Sequence, residues 1–521
     1  MIAHRPVQAS LPAAGVSRSG PGTRGREPGG AHLYLWPFVR ACSIMSWAAP
    51  GGLRTDGMTS PLSFDPELLR RYDRPGPRYT SYPTAPQFTP SFGAAQLREH
   101  IERSNAGKHA LSIYAHMPFC VSPCFYCGCN RVITRDSARG EQYLERLLRE
   151  IAAVAPLFDR RREVLQVHLG GGTPNFFRPT QIGGLFEALA RQFQLSTRPE
   201  RDFSIELDPR TVSPADIAEL GAIGFNRASL GVQDFDAQVQ RAVNRIQTVE
   251  ETLAVIEACR ATGFRSVNVD LIYGLPLQTP EGFAHTLRTV IDARPDRLAV
   301  YGYAHLPELF KPQRQLDTTF LPHPETRITL LRLAIEQLTA AGYQYIGMDH
   351  FALPDDDLSR ARAAGGLQRN FMGYTTHAQC DLLGLGVSAI SHIGASFSQN
   401  HRDLPGWEAA IDSGTLPVWR GLALDADDLL RADVIQRLMC QGELDIPTIE
   451  AQHGIQFEHY FAEPLDELRA LAEDGLVRIE PRRIQATARG QLLLRLIAMC
   501  FDRYLHAARA SSGPPRYSKV V

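Results

Sequence analysis

From about residue 111 the chain alternates short apolar runs with longer stretches whose apolar positions recur every three or four residues. The runs predict strands at Leu111–His116, Val164–Leu169, Phe203–Leu207, Arg227–Val232, Ser266–Ile272 and Arg297–Gly302. A helix follows each one. The first is Glu141–Ala155, with Tyr143, Leu147 and Ile151 along one face, and the second is Gln181–Phe193. The third opens at Ser213-Pro214, the fourth carries Thr248 and Glu251 as a capping box, the fifth begins at Thr279-Pro280, and the sixth is Glu325–Ala341.

Repeated strand-then-helix units are the mark of a parallel sheet, so the fold class is α/β. Six units with right-handed crossovers predict an incomplete (β/α)6 barrel, and a doubly wound sheet accommodates the same pattern. In both, the loops after the strands converge on one crevice, where chemistry is expected. Beyond residue 421 the pattern turns helical and ends in a hairpin at Gly475–Thr487 and an apolar helix at Ala488–Phe501. This predicts a smaller, mainly helical C-terminal domain of winged-helix type. The expected organisation is a leader over residues 1–57, an arm over 58–104, the barrel over 105–345, a barrel extension and connection over 346–420, and the C-terminal domain over 421–521.

The chain has 521 residues, 44% of them hydrophobic, enough for at least one large core. Its 55 basic and 56 acidic side chains nearly cancel, so no global field draws it to nucleic acid or to an acidic membrane. The winged-helix shape is accordingly read as a packing module, and no nucleic-acid partner is expected. The nearest approach to a membrane span, Leu33 to Ala49, is broken by Pro37 and Arg40. Residues 1–57 hold six Arg against only Glu27 and Asp56, among many Gly, Pro and Ser. They are expected to be disordered, and are read as a leader that begins upstream of a true start at Met58 in preference to a transit peptide. A cytoplasmic monomer is expected.

Four of the nine cysteines crowd between Cys120 and Cys129, which suits metal binding in a reducing compartment better than disulfides. Cys42, Cys259, Cys380, Cys440 and Cys500 are scattered, and the three of them that lie in apolar helical patterns read as buried, inert thiols. Cys120, Cys124 and Cys127 are spaced C-x3-C-x2-C in one loop directly after the first strand. Three thiolates on a cubane cluster leave one iron open to a ligand from solution. The alternative is a zinc site closed by Cys129, but zinc sites usually pair two separated knuckles and the chain has no second one. Gly170-Gly171-Gly172-Thr173-Pro174 follows the second strand and lacks both the phosphate-loop and the dinucleotide-turn spacing. It reads either as a turn or as a backbone approach to a ligand. Glu206 and Asp270 end the third and fifth strands, where a carboxylate either accepts from ribose hydroxyls or forms a cap or salt bridge.

The C-x3-C-x2-C spacing, with Tyr126 before the last cysteine, resembles the radical S-adenosylmethionine (SAM) superfamily. The flanking motifs are more specific: Tyr114-Ala-His-Met-Pro-Phe-Cys, Cys-Gly-Cys-Asn, His168-Leu-Gly-Gly-Gly-Thr-Pro, Ile205-Glu-Leu-Asp-Pro-Arg, Gly231-Val-Gln-Asp-Phe and Asp270-Leu-Ile-Tyr-Gly-Leu-Pro. Together they resemble the oxygen-independent coproporphyrinogen III oxidase family, from about Leu69 to the carboxyl terminus.

The resemblance implies a 4Fe-4S cluster on Cys120, Cys124 and Cys127, with Cys129 as a neighbour. It also implies two SAM molecules. Tyr114, Gly171, Glu206 and Ile390 would contact the first, and Tyr126, Gly172, Thr173, Gln233, Arg245, Asp270 and Ala304 the second. The three cysteines, Glu206 and Arg245 would carry catalysis. The implied reaction uses a 5′-deoxyadenosyl radical to take hydrogen from two propionates of coproporphyrinogen III, leaving vinyl groups and protoporphyrinogen IX. The electron donor and acceptor are left unidentified. A substrate with four carboxylates calls for arginines. The run Gly76-Pro-Arg78-Tyr79-Thr-Ser-Tyr82-Pro-Thr is read as an arm over the active site, with Arg369 and Arg420 as further candidates. His116, His168 and His350 are read as buried, hydrogen-bonded imidazoles. The rival reading is a heme-binding chaperone on the same core; such relatives carry Cys-x-Phe where this chain has Cys127-Gly-Cys129, and they lack the arm.

Overall fold

A computed structural model describes residues 62–505 together with Tyr517 and Lys519. The leader over residues 1–57 and Cys42 lie outside the described residues. The six expected strands form as β1 (Leu111–Met117), β2 (Glu163–Gly171), β3 (Asp202–Leu207), β4 (Arg227–Gln233), β5 (Ser266–Tyr273) and β6 (Arg297–Gly302). All pair in parallel, and their spatial order follows the chain from β1 to β6. A doubly wound sheet reverses direction at a switch point; this one does not. Its two edges lie on different strands and are not paired with each other, so the barrel is open.

The strands are more amphipathic than their apolar runs suggest. Ile113, Val167, Ile205, Leu230, Val269 and Val300 point outward into the main core with the surrounding helices. The alternate positions point inward and are polar: His168, Ser204, Glu206, Ser229, Asn268, Asp270 and Tyr301 line an internal cavity of about 180 Å³. Register fixes who meets whom: His168 lies opposite Ser204, Glu206 opposite Ser229, and Asp270 between Gly231 and Ala299.

The sheet continues past both ends of this series. The short strands His350–Ala352 and Gln344–Gly347 add antiparallel to β6. Beside β1, Asp381–Leu385 adds in parallel, followed antiparallel by Ile390–His392, Ser396–Asn400 and Val418–Ala423. A hairpin of Gln368–Asn370 and Gly373–Thr375 faces the cavity through Tyr374 and Thr375.

The helices Ala426–Gln441, Ile446–His453 and Ala462–Glu473 pack with a three-stranded sheet of Glu443–Asp445, Arg483–Ala486 and Val477–Glu480. The expected hairpin is present. The expected long apolar helix after it divides into a 3-10 turn, Gly490–Leu493, and a short α-helix, Leu494–Met499.

Leu68, Leu69, Tyr79 and Tyr82 from the N-terminal arm are buried in the core of this C-terminal part. Arg495 holds the arm by donating to the carbonyls of Gly76 and Pro77, and Tyr79 donates to Asp502 at 3.0 Å. Between these holds, Arg78 reaches the other way, pairing with Asp349 and lying over the Tyr301 ring on the cavity wall.

Candidate active site

The cysteine loop leaves β1 through Pro118 and is stitched down on two sides. On one, the amides of Gly172 and Thr173 donate to the carbonyls of Met117 and Phe119 at 2.9 Å each. On the other, Phe125 N donates to Val243 O at 3.0 Å and Asn244 Nδ2 to Pro123 O at 2.6 Å. Arg131 closes the loop from within, donating to the carbonyls of Cys124, Cys127 and Cys129. The glycine run serves this packing. A Cβ on Gly172 would stand 2.7 Å from Pro118 C and 2.8 Å from Met117 O, and one on Gly171 (φ +112°) would collide with the His116 ring.

Each of the three sulfurs has its own donor. Thr173 Oγ1 donates to Cys120 Sγ at 3.2 Å, Arg245 Nη1 to Cys124 Sγ at 3.5 Å, and the Cys129 amide to Cys127 Sγ at 3.4 Å. Hydrogen bonds to the sulfurs are among the features that tune iron–sulfur clusters. Among the described residues no three His, Cys, Asp or Glu side chains converge closely enough to hold one ion. A cubane spreads its three thiolates over separate irons. The donor set fits a 4Fe-4S cluster on Cys120, Cys124 and Cys127, with both the thiol and the amide of Cys129 directed at the Cys127 sulfur. The Cys129 hydrogen bond pulls the Cys127 thiol down to about 6, against burial, and burial pushes Cys120 up to about 11.

Arg245 connects this loop to the barrel. Besides Cys124, it donates to Asp208 at 3.4 Å and to the Gly231 carbonyl on β4. Asp208 also takes the Arg210 guanidinium through both oxygens, at 2.9 and 2.6 Å. Burial raises the Asp208 carboxyl, but the Arg210 hydrogen bonds and the Arg245 charge overcome it and hold the group below its ordinary value. The sequence motif Leu-Asp-Pro-Arg contained both residues, yet their part in holding the cysteine loop appears only once the chain has folded back.

Inside the barrel, Glu206 accepts from the Gly171 amide at 2.9 Å and meets His168 Nε2 at 3.3 Å. Burial acts to raise its carboxyl, but His168 and the Gly171 amide keep it lowered. Asp270 accepts from Asn268 at 2.9 Å and Ser229 at 3.1 Å, and burial with the nearby Glu206 charge pushes it up to about 6. The two carboxylates thus differ in proton affinity across one cavity. Tyr114 stacks on His168 and donates to or accepts from His116 Nδ1 at 2.9 Å.

Of the remaining expected residues, Gln233 ends β4 in the left-handed region, φ +69°. Tyr126 and Ala304 are brought together by Gln313, whose Nε2 donates to both carbonyls, at 2.9 and 3.2 Å. Ile390 lies against Gly384, the register partner of Tyr114. Arg420 is engaged elsewhere, bonded to Gln399 and lying over Trp419 and Phe88. His116 and His168 are hydrogen-bonded as expected, but His350 is not: its Nδ1 is buried without a partner. The strand that carries it, His350–Ala352, places the residue on the cavity wall.

An open parallel barrel with a C-x3-C-x2-C loop at the carboxyl end of its first strand defines a radical SAM protein, and the Radical SAM superfamily matches residues 114–290. The HemN C-terminal domain matches residues 424–493. The chain is 49% identical over 464 residues to the oxygen-independent coproporphyrinogen III oxidase of Pseudomonas aeruginosa, covering 89% of this chain and 100% of that one. It is 46% identical over 460 residues to the enzyme of the same name from Escherichia coli K12, covering 88% and 99%. The solved structure of coproporphyrinogen III oxidase (HemN) from Escherichia coli, a radical SAM enzyme, superposes with TM-score 0.81 at 46% identity, covering 85% of this chain and 99% of that one. The chain belongs to the oxygen-independent coproporphyrinogen III oxidase family.

Proposed function

We propose that this chain converts coproporphyrinogen III to protoporphyrinogen IX without oxygen, by oxidative decarboxylation of two propionates to vinyl groups. The observation that carries the reading is the trio of thiols, each with its own hydrogen-bond donor, in a loop that Arg245 and the Gly171–Thr173 run tie to a barrel whose interior holds two unlike carboxylates. When bound, the 4Fe-4S cluster and SAM supply a 5′-deoxyadenosyl radical.

The chain's own residues bind and orient. Cys120, Cys124 and Cys127 hold the cluster. Tyr114, Gly171, Glu206 and Ile390 face one SAM; Tyr126, Gly172, Thr173, Gln233, Arg245, Asp270 and Ala304 serve a second. Glu206, held ionised, and Asp270, with its raised carboxyl, are acceptors for ribose hydroxyls at the strand ends. At each reacting propionate one hydrogen atom leaves the β-carbon, the carboxylate departs as carbon dioxide, and one electron passes to an acceptor, which balances the vinyl product. The arm around Arg78, held by the C-terminal part, helps to exclude water from the cavity. The protein acts as a cytoplasmic monomer with an electron donor and an acceptor still to be identified. No helix among the described residues is long and apolar enough to cross a membrane.

The test is an anaerobic assay with reductant, SAM and coproporphyrinogen III, with vinyl products read by chromatography. Mono- and divinyl porphyrinogens are expected in sequence. Stoichiometric heme binding without any vinyl product would overturn the reading in favour of a heme-delivering chaperone.

A further inference from the structure

Buried arginines in this chain are consistently paired with acids or capped by carbonyls. Arg162 pairs with Asp381, Arg227 with Asp202 and Asp357, and Arg245 with Asp208, while Arg495 is capped by carbonyls. Arg369 departs from this rule. It is 4% exposed, yet its only hydrogen bond to a described residue through the guanidinium runs from Nε to the Arg78 carbonyl, at 3.3 Å. Its Nη1 is sealed from solvent without a partner. No carboxylate of a described residue lies within ion-pair distance of it. A buried guanidinium left this way carries a desolvation penalty that an anion would relieve.

The surroundings say where such an anion would come from. Arg369 lies opposite Tyr374 in the hairpin, with its guanidinium 4.8 Å from the centre of that ring. The Tyr374 ring meets His350 edge-on at 5.2 Å, and Tyr374, His350 and Tyr301 all line the cavity. Arg369 is not itself a lining residue; the Tyr374 ring, which is, lies against its guanidinium. His350 Nδ1, the other sealed atom without a partner here, is on the same wall. Burial and the Arg369 charge hold this imidazole neutral, down to about 3, so it offers one N–H and adds no charge of its own. The one acid close by, Asp349, is already taken by Arg78. The position is fixed from both sides: the arm supplies the Arg78 carbonyl, and Gln436 of the C-terminal part donates to the Arg369 carbonyl.

We propose that Arg369, with His350 beside it, seats a carboxylate of the bound porphyrinogen, completing an ion pair that the folded chain leaves open. The inference rests on the oxidase reading above and adds which side chain recognises a propionate. Arg369 is a binding residue for that group and takes no part in hydrogen abstraction. Of the three arginines with a claim on the substrate, Arg78 is paired with a carboxylate and Arg420 with a side-chain amide, whereas the Arg369 guanidinium has one backbone carbonyl and a ring, and its Nη1 has no partner.

The experiment uses anaerobically reconstituted holoenzyme in wild-type, Arg369→Gln and Arg369→Lys forms. Arg369→Gln is expected to keep the brown cluster absorbance and the cleavage of SAM by reductant in the absence of tetrapyrrole. Its KM for coproporphyrinogen III should rise about tenfold or more, the scale of one charge-assisted pair, and Arg369→Lys should recover part of that loss. Wild-type protein should also bind coproporphyrin III more tightly than its tetramethyl ester, and Arg369→Gln should lose this preference. A KM for coproporphyrinogen within twofold of wild type overturns the proposal. So does a raised KM confined to SAM, which would assign the seat to the SAM carboxylate. If Arg369→Gln does not fold, the wild-type comparison decides alone, and equal binding of acid and ester overturns the seat. Absence of vinyl product from wild type, with the acid still preferred over the ester, would instead reject the oxidase reading and leave the seat standing.

Discussion

Thr173 donates its hydroxyl to the sulfur of Cys120 at 3.2 Å, so the glycine run after β2 reaches the cysteine loop after β1 by a side chain as well as by backbone. Two neighbouring strand ends thereby act on one metal ligand. Replacing Thr173 by Val keeps the shape and removes the donor. The cluster should still assemble on its three cysteines, with a more negative midpoint potential, because a hydrogen bond to sulfur favours the reduced, more negative state. An electron paramagnetic resonance titration reads the change, and an unaltered potential would remove this role from Thr173.

Cys120→Ser and Cys129→Ser should separate ligand from neighbour. The first is expected to abolish both the brown chromophore and activity. The second should retain the chromophore, because Cys129 supports Cys127 with a backbone amide that serine also possesses. Iron and sulfide counts on the two proteins, purified anaerobically, make the comparison.

Asp208 is the shared acceptor of Arg210 and Arg245, and its side chain is 8% exposed, as is that of Arg245. Asp208→Asn leaves the buried Arg245 cation without its charge partner beside the cysteine loop. Loss of one partner from a buried pair costs about 3–5 kcal/mol. Urea unfolding of the apoprotein should show that loss, with impaired cluster retention alongside it.

The raised carboxyl of Asp270 gives a pH dependence of definite sign. Burial and the Glu206 charge lift it from 3.8 to about 6, so the folded state favours the protonated form more than the unfolded chain does. Its contribution to stability is fully present below about pH 4 and is lost as pH rises through 6. Asp270→Asn can keep the contacts to Asn268 and Ser229 without the charge. The variant apoprotein should match wild type near pH 4 and exceed it at pH 8 by about 2 kcal/mol, since a tenfold change in proton affinity is worth about 1.4 kcal/mol and part of the effect is screened. Equal stability at pH 8 would contradict the assignment.

The barrel strands were legible because each is a compact apolar run followed by a capped helix, and all six lie within two residues of expectation at their starts and ends. The strands from Asp381 to Ala423 were not. They are short and hold small or polar residues such as Gly384, Ser391, Ser396 and Ser398, and their burial comes from neighbours distant in the chain. The same division runs through the site. Cys120, Cys124 and Cys127 declare themselves by spacing within one loop, and Glu206 and Asp270 by standing at strand ends. The tie from Arg245 through Asp208 to Arg210, and the placing of Arg369 against Tyr374, depend on contacts between segments that no local pattern encodes.

Arg495 takes hold of the Gly76 and Pro77 carbonyls from close to the end of the described chain. During synthesis the barrel and its cysteine loop therefore leave the ribosome well before the residue that fixes Arg78 against the cavity wall exists. The earliest part of the site to be translated is thus held by one of the last residues to be added.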